Sequence, residues 1–149
     1  MGGLIGTNRG GAIANCASST SVSGANWRVG GLVGQNYHAG SIATSYSTDT
    51  VSGEDSVGGL VGGNYEGSIT ASFWDVETSG LPTSDAGIGK TTTEMQTAST
   101  FLDAGWDFMG ETENGTEDIW WILEGQDYPR LWWERTGVTV GQSDSQSDG

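Results

Sequence analysis

Short apolar pairs set in glycine recur along the first half of this chain. Leu4-Ile5, Leu32-Val33 and Leu60-Val61 each lie inside a Gly-Gly-Leu-(Ile/Val)-Gly-x-Asn phrase, and successive phrases are 28 residues apart. After each Asn comes a Gly and then an isolated apolar position: Gly11 and Ile13, Gly40 and Ile42, Gly67 and Ile69. The step from Asn to Ile is five, six and five residues, so one turn takes an insertion. A small residue follows, Cys16, Ser45 or Ser72, and Ser-Gly closes each unit at Ser23-Gly24, Ser52-Gly53 and Ser79-Gly80. Apolar stretches this short, bounded by Gly and Asn, predict short strands, about two or three in each unit.

One such unit cannot bury its own apolar face, but stacked units can. The expected fold class is therefore all-β, a parallel β-solenoid (β-helix) of about three 28-residue coils. Leu4, Leu32 and Leu60 would form one ladder along it. Ile5, Val33 and Val61 would form a second, and Ile13, Ile42 and Ile69 a third. In-register stacking puts equivalent residues about 4.8 Å apart. Asn8, Asn36 and Asn64 would form a polar ladder at a turn, where Asn bonds backbone and tolerates left-handed geometry. Arg28 falls in an expected turn. A hairpin within each unit is the rival arrangement. A flexible linker is the poorer reading of the glycines, because a linker has no reason to hold Leu, Ile and Asn at constant spacing.

The periodicity stops after Gly80, and five of the seven Trp lie beyond it. Thr91-x-x-Glu94 is a capping-box pattern that predicts a short helix through Gln96. Ser99 is a candidate cap for another helical turn through Asp103. Asp118 to Glu124 has strand composition. Tyr128-Pro129-Arg130 reads as a turn into Leu131-Trp132-Trp133. A solenoid end exposes open strand edges and an apolar cross-section, which a terminal module normally covers. Residues 81–135 are expected to be that module, Trp-rich with short helical turns, its Trp side chains covering the last coil. Residues 1–80 are the solenoid, and 136–149 a disordered polar tail.

Charge narrows the partners. The net charge is −14, from 19 acidic and five basic residues. Nucleic acid and anionic membranes call for a basic footprint that is missing. No run approaches the roughly 20 apolar residues of a membrane span, so membrane insertion is not expected. Cys16 is the lone cysteine, and its alignment with Ser45 and Ser72 makes it a small packing residue. Ala86-Gly87-Ile88-Gly89-Lys90-Thr91 ends like a phosphate-binding loop, but Ser84 stands where the first Gly belongs. His38 is the one histidine, in an expected turn, and offers little to a zinc site or a nucleophilic triad. Glu111, Glu113, Glu117 and Asp118 surround Asn114-Gly115 without EF-hand spacing, which reads as a solvated acidic turn rather than a calcium loop. No pair of carboxylates stands out as a glycosidase pair. No catalytic, metal or cofactor site is assigned, and no cofactor is expected.

The Gly3-Leu4-Ile5-Gly6, Gly31-Leu32-Val33-Gly34 and Gly59-Leu60-Val61-Gly62 cores resemble the GLUG motif. Ser45-Tyr46-Ser47-Thr48 and Val51-Ser52-Gly53 are similar to that family's phrases. Phe73-Trp74-Asp75 through Met95, then Trp106-Asp107-Phe108 and Asp127 to Leu131, resemble the tail that follows such repeats. The resemblance implies an extracellular or cell-surface stalk or adhesin segment, as in large filamentous-haemagglutinin-like proteins. It carries over no peptidase, because the His-Glu-x-x-His signature is missing. The expected role is a non-enzymatic structural or adhesive segment of a larger secreted protein, of which this chain, with its phrase starting directly after Met1 and no signal peptide, would be a piece. A host or matrix glycan or protein is the expected ligand, and self-association through the open N-terminal edge is expected. The alternative is a carbohydrate-binding module, or an accessory region of a polysaccharide-active enzyme, with Trp120 and Trp132 as candidate ligand contacts.

Overall fold

A computed structural model describes residues 1–25 and 27–134. The expected tail, 136–149, lies outside the described residues. The first coil contains β1 (Ile5–Arg9), β2 (Ala12–Ala14), β3 (Ala17–Ser18), β4 (Ser21–Ser23) and β5 (Trp27–Gly30). The second contains β6 (Val33–Tyr37), β7 (Ser41–Ala43), β8 (Tyr46–Ser47), β9 (Thr50–Ser52) and β10 (Asp55–Gly58). The third contains β11 (Val61–Tyr65), β12 (Ser68–Thr70), β13 (Phe73–Asp75) and a helical turn, α1 (Val76–Ser79). Equivalent strands of successive coils pair in parallel, as in a β-helix. That excludes a hairpin within each unit.

The apolar ladders are in register. Ile5 pairs with Val33 and Val33 with Val61, while Ile13 pairs with Ile42 and Ile42 with Ile69. Leu4 N donates to Leu32 O at 2.9 Å, and Leu32 N to Leu60 O at 2.9 Å. Leu32, Val33, Leu60 and Val61 are wholly buried and share a core with Ile13, Ile42 and Trp74. Leu4, on the outermost coil, is 44% exposed. A smaller core of Val22, Val29 and Val51 fills the far corner.

Polar columns run beside the apolar ones. Asn8 Nδ2 donates to Asn36 Oδ1 at 2.8 Å, and Asn36 Nδ2 to Asn64 Oδ1 at 2.9 Å. The same amides also hold their own turns, bonding Gly11 O, Gly40 O and Gly67 O. A Cβ on Gly11, Gly40 or Gly67 would lie 2.7, 2.5 or 2.3 Å from an amide atom of this column, which explains why a Gly follows each Asn. Cys16, Ser45 and Ser72 form a second column. Each side chain donates to the carbonyl two residues back, and the Ser45 and Ser72 oxygens accept the backbone N–H of the coil before. The Gly-Gly step is a steric requirement: a Cβ on Gly30 would lie 2.0 Å from Val33 O, and one on Gly31 2.2 Å from Gly59 O.

Each full coil has five strands rather than two or three. The cause is a set of recurring corners at positive φ, mostly in residues other than glycine. One corner holds Gly10, His38 and Glu66, another Asn15, Thr44 and Ala71, and a third Arg28 and Ser56. The extra residue of the second unit is taken up beside the first corner, where Ala39 also has positive φ, 65°. Arg28, expected in a turn, lies within β5 at φ 61°.

The C-terminal end is closed by chain that the periodicity did not announce. Thr83 O accepts from Gly59 N, and Ser84 Oγ accepts from Leu60 N and Val61 N, so residues 83–85 lie along the start of β11. Strand β14 (Ile88–Lys90) pairs with β13. Stacking therefore continues past Gly80, and the Gly89-Lys90 of the loop-like phrase lies in a strand. Trp74 replaces the inward Ser18 and Ser47 of its register row, plugs the core above Gly59, and donates its indole N–H to Leu81 O at 3.0 Å.

Beyond β14 come α2 (Thr92–Met95), α3 (Ala98–Leu102) and the antiparallel pair β15 (Trp120–Trp121) and β16 (Arg130–Leu131). The capping box at Thr91 and Glu94 is present. The N-cap of α3 is Thr97, not Ser99, and its side chain bonds back to Thr93 O. The expected strand from Asp118 to Glu124 is reduced to two residues. The cores of these elements do not sit over the last coil. Met95, Phe101, Trp106, Phe108 and Trp120 pack on Tyr46 and Phe73, which face outward from coils two and three. They cover a flank of the stack, while Trp74 and residues 81–90 cover the part of its end formed by β11 and β13, and β9, β10 and β12 are each paired with a strand on one side alone.

Candidate functional site

The structure separates the two tryptophans expected to meet a ligand. Trp120 is 1% exposed, with its ring 4.6 Å from Trp106 and 6.0 Å from Tyr46. It is a core residue of the flank module, and no ligand can stack on it while that core is packed. Trp132 is 57% exposed and Trp133 63%, so both sides of that pair meet solvent. The Trp121 indole is used within the module, donating to Leu131 O. The other residues singled out in the sequence, Leu4, Leu32, Leu60, Asn8, Asn36 and Asn64, all lie on the contacts between coils.

Carboxylates in the interior act as ties. Asp75 caps α1 by accepting from Glu77 N and Thr78 N, and its other oxygen accepts from Thr92 Oγ1 at 2.7 Å and Tyr128 Oη at 2.6 Å. One carboxylate thus joins the last coil to α2 and to the segment before β16. Asp49, fully buried in coil two, accepts from Ser18 Oγ and Thr20 N. Burial pushes its pKa up, against the lowering effect of those two bonds. In the acidic turn, Glu111 accepts from Phe108 N and Asn114 N, and Asp107 from Glu117 N and Asp118 N. Backbone donors, Asn114 N–H foremost, hold Glu111 below the usual carboxylate range. These oxygens organise the turn from within. Among the described residues no group of three or more His, Cys, Asp or Glu is placed to hold a metal ion.

Two tyrosines, Tyr46 on coil two and Tyr128 in the module packed on it, give the contact between stack and module a pH signature. Tyr128 is pushed up to about 12, first by burial and then by its bond to Asp75. Tyr46 is raised too, mainly by burial, and its hydroxyl donates to Pro129 O. The folded state keeps both protons where an unfolded chain, titrating near the usual tyrosine value of about 10, gives them up. Their stabilisation is therefore complete below about pH 10 and is lost as pH rises past it. The denaturation midpoint should fall steadily from pH 10 upward, and Tyr128→Phe should flatten part of that fall. A midpoint that stays level across this range would contradict the assignment.

One surface constellation was not legible in the sequence. Arg9, Tyr37 and Tyr65 form a cross-strand row on the sheet of β1, β6 and β11. The Arg9 guanidinium lies 5.7 Å from the Tyr37 ring centroid. Arg28 lies between Trp27, at 5.8 Å, and Tyr65, at 5.2 Å, and its Nε donates to the Tyr65 hydroxyl at 3.4 Å. A polar cleft of about 370 Å³ opens beside Tyr65, lined by Ser56, Thr83 and Asp85 among others. The available signal was the aromatic residue directly after Asn36 and Asn64.

The comparisons agree with the repeat geometry. The family model described as the GLUG motif matches residues 25–52, which run from the end of coil one through β9. The chain carries a GLUG-motif repeat, and the first and third units stack on the second in the same register. No curated protein and no solved structure matches it. Among the described residues no helix is long and apolar enough to cross a membrane.

Proposed function

We propose that the chain is a non-enzymatic structural and adhesive segment of a larger secreted or cell-surface protein. The observation that carries this reading is where the motif residues are spent. The Leu, Ile/Val, Asn and Gly-Gly positions all serve contact between one coil and the next, which leaves recognition to the outward-facing side chains. A host or matrix glycan or protein is the ligand such a surface would meet. The edge of coil one supports self-association, since β1, β2, β3 and β4 are each hydrogen-bonded to a strand on one side alone. Antibody raised to residues 1–134 should label intact producing cells or the medium around them. Labelling that requires lysis would overturn the surface assignment.

A further inference from the structure

Trp27 and Arg28 are not demanded by the coil. Their register partners in the next coil are Asp55 and Ser56, which occupy the same backbone geometry without a ring or a charge. Yet Trp27 is held 66% exposed and Tyr65 44% exposed, on either side of the Arg28 guanidinium. A bare surface contact between Arg and aromatic rings stabilises by only about 0.5–1 kcal/mol, a small return for leaving so large an apolar ring in water.

The charge pattern is equally unusual. The chain has 19 acidic residues and five Lys or Arg. Among the described residues the one ion pair is Arg130 with Asp127, at 3.0 Å. Arg9 and Arg28 thus have no carboxylate partner at salt-bridge distance among the described residues, although acids outnumber cations almost four to one. An Arg without such a partner keeps its planar fork available for an external carboxylate.

We propose that the Trp27–Arg28–Tyr65 face, with the cleft beside it, binds a saccharide that carries carboxylates. The two rings offer flat apolar faces to sugar C–H groups. Arg28 pairs with the carboxylate of a uronic acid unit. The hydroxyls of Ser56 and Thr83 and the carboxylate of Asp85, which line the cleft, meet sugar hydroxyls. Nucleic acid is a poor fit, because two arginines on a chain of net charge −14 make no phosphate-tracking stripe. A neutral glycan leaves the guanidinium unused. This platform gives the proposed adhesive segment its ligand class, and because binding is measured on purified chain, it can fail while surface labelling stands.

The test is calorimetric titration of the whole chain with hexagalacturonate and with a glucuronate-containing hexasaccharide, against methyl-esterified hexagalacturonate and polyglutamate. At least one acidic sugar should bind, and methyl esterification should weaken hexagalacturonate, where it binds, by about tenfold or more. Trp27→Ala should cost about tenfold or more, while Trp132→Ala leaves affinity unchanged. Arg28→Gln should bring the acidic and esterified forms close together. Circular dichroism of the variants should match the parent, as expected for exposed positions. Failure of both acidic sugars at about 1 mM, undiminished binding by Trp27→Ala, or loss in Trp132→Ala would overturn the site. Polyglutamate binding as tightly as the sugars would overturn the saccharide assignment.

Discussion

Leu32→Ala should lower the unfolding free energy by about 2–5 kcal/mol, the range for truncating a buried leucine whose surroundings cannot collapse. Leu32 has no exposed surface and is stacked on both sides, by Leu4 and by Leu60. The tight Gly-Gly backbone beside it leaves the strands little freedom to close on a cavity. Leu4→Ala is the internal control. It removes the same atoms from the same motif position, but Leu4 is 44% exposed and has a coil on one side of it. Its loss should be no more than about 1 kcal/mol. Denaturant melts of the two variants make the comparison, and equal midpoints would show that the ladder does not carry the core. Arg28→Ala should cost roughly the 0.5–1 kcal/mol of its contacts with Trp27 and Tyr65.

A chain ended at Gly80 should aggregate. The cut removes the whole flank module and exposes Phe73 and Tyr46, now 2% and 5% exposed. It also strips residues 83–85 from β11 and β14 from β13, and takes away the Leu81 carbonyl that receives the Trp74 indole. Apolar flank and open strand edge would appear together, the combination that drives edge-to-edge association. The intact chain keeps its apolar flank and the start of β11 covered, and its charge of −14 opposes association until salt screens it. Light scattering over a salt series should show large particles for the truncated chain at every salt concentration and a gradual rise for the intact one. A monomeric, folded 1–80 fragment throughout would show that the second half does not protect the stack.

The sequence made the ladders legible because stacking forces one residue type to recur at each inward position. Leu, Ile and Asn each recur, and their constant spacing is the register itself. The number of strands was hidden for the opposite reason. His38, Thr44, Glu66 and Ala71 turn corners at positive φ without any residue preference that marks them. Closure of the far end was hidden too. Thr83, Asp85 and β14 stack on the third coil by backbone bonds that need no motif, Ser84 adds its hydroxyl, and Trp74 sits in a register row otherwise held by serine. Composition drew attention to the adjacent Trp pairs, yet burial is decided by what folds back on them. Trp120 went into the core against Tyr46 and Phe73, whereas Trp27, isolated in sequence, stayed outside.

The amide column described above has a direction. Asn8 and Asn36 each give an N–H to the next coil, and Asn36 and Asn64 each offer an oxygen to the one before. The upper and lower faces of a coil are therefore complementary to each other and not to themselves. A coil copied in place would meet matching neighbours on both sides, whereas an inverted one would set oxygen against oxygen. Length in such a protein can be inherited as a count, gained or lost by whole 28-residue steps with no contact redesigned. A single extra residue is absorbed at a corner, as Ala39 is. The outer surface of each coil lies outside this constraint, and it is where Trp27 and Arg28 stand in one coil and Asp55 and Ser56 in the next.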